Sequence, residues 1–410
     1  MKPFESLFQF LVATCLVAAC LAQDPEKENA TKDDEDVLKA GREDPFTKQD
    51  PELMKEAGII SYGPFPWADF KTSDDIETVL GKGRFLWLET AHFRIGFNFK
   101  TVNWPEGQEK RKFLKNEIKE VRKRLKKFPE KPKKLTPWIR LHLYAYRLEK
   151  LYGEVQALLG VTDADFGQGK EPPNGPYLGM GDKFLVLLFQ KESDLARYFE
   201  RFCNTKADTS MRWYHTKTHQ LVAAVAAQGL EGFDSIALQG HVTYAVTHNL
   251  LNGYKGFHMQ LPMWLDEGLA HSFALAVPSD VVNVQILDTE AVSQDDKQAN
   301  WPVKVRRRAQ HDGAYFTFEQ MVKWTKFEEM GYHAHSQSWS RVDYLLQLDR
   351  EKVGLMIGQL KSMPPAVGGA VPAAHVATKA QKLLIELFEL DAATFDTRWR
   401  EWVLKTYPKK

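Results

Sequence analysis

The chain has 410 residues, with 55 Lys and Arg against 54 Asp and Glu, so its formal charge is +1. That balance lacks the basic excess of a dedicated nucleic-acid binder, and a 43% hydrophobic content reads as globular. Three cysteines are too few for a disulfide framework or a four-thiolate zinc site.

Residues 1–22 are laid out as a secretory signal peptide. A short polar start precedes an apolar run from Leu7 to Leu21, broken by Gln9 and Thr14, and polar Gln23-Asp24-Pro25 follows. Cleavage after Ala22 releases a soluble, exported chain, for the periplasm, the cell surface or the medium. Val17-Ala18-Ala19-Cys20 also has the form of a bacterial lipobox, in which Cys20 carries the lipid, so free and membrane-anchored forms both stand open. Either way Cys203 is left as a lone thiol, and such a thiol is expected to be buried and inert.

Residues 23–80 read as an acidic, flexible spacer. Its first part, 23–56, holds 12 acids against 6 bases and few large apolar side chains. Strands are expected at Phe85–Leu88 and His92–Phe97. A helix over 108–128 follows, because Leu114, Ile118, Val121, Leu125 and Phe128 recur every three or four residues. A second helix runs from Trp138 to Leu159. Together they form a basic hairpin over about 105–160, within a stretch, 101–150, that carries 16 bases and 6 acids. Its lysines interleave with Glu117, Glu120 and Glu149, as on a solvated helical face, and a surface for anionic partners is the alternative.

Phe184–Phe189 reads as a buried strand and Ser193–Phe202 as a helix capped at Ser193-Asp194. Trp213–Thr216 with Leu221–Ala226 reads as a hairpin. Beyond residue 285 the pattern turns helical, ending in Thr394–Tyr407, and Pro364–Thr378 is expected to be a loop.

The segment with chemical content runs from Gly240 to Leu251 and continues as Pro262-Met263-Trp264-Leu265-Asp266-Glu267-Gly268-Leu269-Ala270-His271. A mononuclear zinc hydrolase needs three protein ligands about 2 Å from the metal and an open position for water. Two histidines one helical turn apart supply two of them, and a glutamate beside the first acts as base. Pro262 to Ala270 resembles the P-x-W-L-x-E-G-L-A segment of gluzincin metallopeptidases. The resemblance makes Glu267 the third zinc ligand and, with 18 residues between them, His248 the second histidine. The first histidine then falls on Tyr244 and the catalytic glutamate on Ala245.

Alanine takes no proton from water, and a phenol binds zinc only after losing a proton whose pKa is about 10. The resemblance therefore implies a degenerate centre: remnant ligands His248 and Glu267, no catalytic base at Ala245, and no zinc required. His241 lies seven residues from His248, about 10.5 Å along a helix, too far for direct chelation by the pair. His271, four residues after Glu267, is a substitute ligand in a relocated set with His248 and Glu267, or the hydrogen-bond partner of Tyr244.

Leu88-Glu89-Thr90-Ala91-His92-Phe93-Arg94-Ile95, Leu151–Val155 and Phe395–Val403 are similar to secreted gluzincin-like proteins of planctomycete bacteria, a resemblance covering roughly 80–410. It implies a thermolysin-like α+β fold. Residues 81–285 would form the gluzincin-like domain with the motif helices, and 286–410 a helical lobe closing a cleft. The function this implies is binding of a peptide or envelope partner by a disabled peptidase, with walls held by packing around Trp264. Two alternatives are a non-standard zinc peptidase and a structural envelope module contacting anionic surfaces through the hairpin. No serine-nucleophile elbow, phosphate-cradling loop or thiolate pair offers another chemistry.

Overall fold

The computed structural model describes residues 35–228, 230, 234–281, 300–325, 327–365 and 371–409. The leader, with Cys20, lies outside the described residues. Among those described, no helix is long and apolar enough to cross a membrane.

The chain begins with α1 (Glu35–Ala40), α2 (Pro51–Ala57), the paired short strands β1 (Pro66–Trp67) and β2 (Lys71–Thr72), and α3 (Ser73–Leu80). Strands β3 (Leu86–Glu89) and β4 (Phe93–Phe97) lead into helices α4 (Gln108–Arg124) and α5 (Pro137–Leu159). Then come β5 (Phe184–Phe189), α6 (Glu192–Tyr198), β6 (Met211–His215) and β7 (Gln220–Ala226). The rest is helical: α7 (Ser235–Gly253), α8 (Met263–Leu275), α9 (Trp301–Ala309), α10 (Phe318–Met321), α11 (Tyr332–Leu348), α12 (Arg350–Lys361), α13 (Ala373–Phe388) and α14 (Ala392–Thr406).

The fold is mixed α+β around one five-stranded sheet of order β3-β4-β5-β7-β6. The inner pairs β4–β5 and β5–β7 are parallel, and the outer pairs β3–β4 and β6–β7 are antiparallel. Parallel strands need cover on both faces, which is why β5 reads as the unbroken apolar run Phe-Leu-Val-Leu-Leu-Phe. Its even-numbered residues Phe184, Val186 and Leu188 join the core beneath α5 and α7. Its odd-numbered Leu185, Leu187 and Phe189 join a second core.

That second core corrects the expectation of a flexible spacer over 23–80, for the part from residue 35 on. Phe65, Trp67, Ile76 and Leu80 are buried against the odd-numbered face of β5 together with Leu195 and Tyr198. Val37 enters the main core, and the Trp138 indole donates to the Gly41 carbonyl at 3.1 Å. Asp44 is fully buried, accepts a hydrogen bond from Thr47 Oγ1 at 2.7 Å, and lies 3.1 Å from His142 Nε2. Burial works against the Asp44 carboxylate, yet His142, Tyr62 and the Phe46 amide outweigh it and hold the group below the usual carboxylate range. The averaged acidity of this stretch conceals apolar side chains spaced singly among the charges.

The basic hairpin forms, with its first helix ending at Arg124. Leu114, Ile118 and Val121 pack with Leu125 and Phe128 against Leu135, Ile139 and Leu143. Arg147 holds Glu117 through two hydrogen bonds of 3.0 and 2.7 Å, and Gln239 of α7 donates to the same carboxylate at 2.9 Å. Two boundaries differ from expectation. Helix α6 starts at Glu192 after Lys191, not under a Ser193 cap, because Asp194 is turned inward onto Arg84. Residues 373–378 are the first turns of α13 and not loop. From the range expected to form a C-terminal lobe, Val342, Met356 and Trp399 share one buried cluster with Trp264 and with sheet residues such as Val186.

Asp44→Ala should leave His142 and Tyr62 without their buried acceptor and cost about 3 kcal/mol in chemical denaturation. An unchanged midpoint would return residues 35–60 to the status of a spacer.

Candidate functional site

Helix α7 starts at the Asp234 cap, whose carboxylate accepts from the Ile236 and Ala237 amides at 2.9 Å. It is apolar almost all round because it lies between the sheet and the helical layer, and its residues from Tyr244 to Gly253 are buried. The turn into α8 is fastened by polar side chains. Asn252 Nδ2 donates to the His248 carbonyl and to both Asp266 oxygens at 3.0 Å, and Asn252 Oδ1 accepts from the Leu261 amide. From α12, Lys361 donates to the carbonyls of Asn252, Gly256 and Met259 at 2.7, 3.1 and 3.0 Å. Burial, partly offset by Asp266, pushes the Lys361 pKa down to about 7.

Helix α8 carries Trp264 and Glu267, three residues apart. Trp264 is fully buried, with its ring edge-on to Phe318 at 5.0 Å and near Phe395 at 6.3 Å, so it anchors α8 to α10 and α14. Gly268 faces α11. A Cβ there would stand 2.5 Å from the Ser338 carbonyl oxygen and 2.5 Å from Val342 Cγ2, so the two helices cross at a separation only glycine permits. Helix α11 is held in turn by α14. The Trp399 indole donates to Ser340 Oγ at 3.0 Å, and Arg341 pairs with Asp396 while its guanidinium lies 3.9 Å from the Trp399 ring centre.

This crossing gathers three imidazoles around one carboxylate. Glu267 Oε2 is 3.3 Å from His335 Nδ1 and 3.8 Å from His271 Nε2, which are themselves 3.1 Å apart. Its other oxygen, Oε1, faces His248 Nε2 at 3.6 Å, and His248 Nδ1 lies 2.9 Å from Asp266. All four site residues are at most 1% exposed. Burial alone would raise the Glu267 pKa, but His248, His335 and His271 outweigh it and hold the carboxyl well below its usual range. Burial, with His335 and His248 adding to it and Glu267 opposing, lowers the His271 pKa well below the ordinary imidazole range.

Several expectations are corrected here. The Tyr244 hydroxyl donates to Glu267 Oε2 at 2.6 Å, not to His271, whose ring lies 4.8 Å away and whose Nε2 turns to His335. His248, Glu267 and His271 of the expected relocated set lie together, with His248 at the other carboxylate oxygen. The group with mutually close ligand atoms is Glu267, His271 and His335. His335 had no sequence signal, since it stands outside any motif on a helix distant in the chain. His241 is buried in α7 with its ring near Tyr244, apart from this group.

At the metal position that the gluzincin resemblance would imply, the residues present do not fit zinc. Tyr244 stands where the first imidazole would be, its hydroxyl is committed to Glu267, and burial followed by Glu267 drives its pKa well up. Ala245 places no acid or base beside that point.

The described cleft nearest these residues has a volume of about 640 Å³. Glu267 and Tyr244 contribute to its floor, edge strand β6 from Met211 to Tyr214 forms one wall, and Thr325 and Phe327 stand among its remaining lining. Tyr214 and Phe257 make an aromatic rim with rings 4.5 Å apart.

A second constellation lies at the far end of β6. Cys203 Sγ is 3.9 Å from His215 Nε2, and His215 Nδ1 is 3.1 Å from Asp69. The order is that of a nucleophile, a base and an orienting acid, but burial and then Asp69 push the thiol up to about 12. Burial also lowers the His215 pKa despite Asp69, so a neutral thiol faces a neutral imidazole.

Comparison with protein-family models and with curated proteins finds no match.

Gly268→Ala is expected to force α8 and α11 apart and cost about 2–3 kcal/mol in a denaturation midpoint series. A neutral result would remove the close crossing as the organiser of the site. Cys203 is expected to alkylate with iodoacetamide at least about 100-fold more slowly than free cysteine at pH 8, because its thiolate fraction there is so small. A rate equal to free cysteine would show an activated thiol.

Proposed function

We propose that the chain is an exported protein with a thermolysin-like arrangement whose hydrolytic centre is disabled and whose cleft binds an extended peptide or protein segment. The observation that carries this reading is the Tyr244–Glu267 hydrogen bond beside Ala245. The ligand position and the base position are both spent on packing and on a buried hydrogen bond. Without a base no proton leaves the attacking water, and in peptidases of this design that step is indispensable.

Binding survives where hydrolysis does not. The cleft is bounded by an edge strand, and an edge strand offers unpaired backbone N–H and C=O groups along its open side. An extended segment laid there continues the sheet, while Tyr214 and Phe257 give its side chains an aromatic surface. The cleft volume falls within the range of small-ligand and peptide-side-chain sites. The near-neutral charge, +1, supports a protein partner over a nucleic acid. The basic hairpin is less suited to be the main contact, since its apolar stripe is already used in its own core.

The test uses the mature chain from Gln23 and a fluorogenic peptide library, with and without a chelator. No chelator-sensitive cleavage is expected, together with saturable capture of a subset of peptides. Tyr214→Ala should weaken that capture at least about tenfold, a loss of about 1.4 kcal/mol. Chelator-sensitive turnover contradicts the disabled centre, and the absence of any peptide capture contradicts the cleft's role.

A further inference from the structure

The structure assigns to Glu267, His271 and His335 a divalent-metal site of the zinc class, displaced from the family's position toward α11. Zinc bound to nitrogen and oxygen at about 2.0–2.1 Å holds its ligand atoms about 3.3 Å apart in a tetrahedron. Here Glu267 Oε2, His271 Nε2 and His335 Nδ1 form a triangle of 3.1, 3.3 and 3.8 Å, and a point about 2 Å from all three exists without backbone movement. Two imidazoles and a carboxylate are a borderline-soft nitrogen and oxygen set, suited to zinc and its mimic cobalt and not to calcium or magnesium.

Two further observations point the same way. The His248 imidazole is fully buried, and its Nε2, which lacks a hydrogen-bond partner, faces Glu267 Oε1 at 3.6 Å. Glu267 also lies in the cleft floor, which gives an ion a route to a group otherwise closed by α8 and α11. Gly268 is what makes the site reachable for His335, since only at that crossing do the two helices come close enough.

The consequence is a metal that ties α8 to α11 beneath the cleft, with no acid or base supplied at Ala245. It stabilises the floor of the binding site without hydrolysing what lies above. This inference does not rest on peptide binding: a chain that takes up metal and captures no peptide leaves it standing.

The test is cobalt titration of the chelator-stripped mature chain, read by the visible absorption of tetrahedral cobalt and by displacement with zinc. One equivalent is expected, with His335→Gln and His271→Gln each weakening binding at least about tenfold. His248→Gln, checked for native circular dichroism like the others, is expected to stay within about threefold of the parent. No uptake by the parent chain overturns the site, and so does an equal loss in His248→Gln, which would place the ion at the family's position. If His335→Gln does not fold, His335→Cys substitutes a thiolate and should bind cobalt with a near-ultraviolet thiolate-to-metal band. Absence of that band in a folded, cobalt-loaded variant also overturns the assignment.

Discussion

Helices α8 and α11 cross at Gly268 so closely that one added methyl carbon would meet the Ser338 carbonyl at 2.5 Å, and the polar interior of the molecule depends on that contact. A side chain there would hold α11 away, and His335 would no longer reach within 3.3 Å of Glu267. Trp264 on α8 and Arg341 with Trp399 behind α11 press the pair together from outside, where aromatic area is the main source of stabilisation. The glycine of the Trp-Leu-Asp-Glu-Gly segment is thus a packing requirement whose effect is chemical.

A carboxylate buried at 1% exposure would cost several kcal/mol if left alone. Glu267 is sustained by the Tyr244 hydroxyl on one oxygen and by three imidazoles around both. The Tyr244 hydroxyl, His271 and His335 gather at Glu267 Oε2, His248 faces Oε1, and Asp266 with Asn252 keeps His248 in place. Lys361 adds a distant restraint, since its three donors take up the carbonyls of the α7–α8 connection and set where α8 begins.

Much of the fold is legible in local pattern, because period-two and period-3.6 apolar spacing reports directly on burial. The Phe184–Phe189 run, the 211–226 hairpin and the α4–α5 pair all form where those periods place them. Residues 35–80 hide their core for a physical reason: a second sheet face needs only a few large side chains, and Phe65, Trp67, Ile76 and Leu80 vanish in an acidic average. In the site, His248, Glu267 and His271 follow from helical spacing along one segment. His335 does not, because its proximity is created by a helix crossing 64 residues further along the chain. The exchange of Tyr244's partner from His271 to Glu267 was equally invisible, since it depends on which way the His271 ring turns once His335 is beside it.

The most direct measurement is a crystal of the zinc-soaked chain with an anomalous difference map at the zinc edge. A single strong peak about 2 Å from Glu267 Oε2, His271 Nε2 and His335 Nδ1 is the predicted result. A peak lodged instead between His248 Nε2 and Tyr244, or no peak at saturating zinc with the three side chains in the same positions, would contradict it.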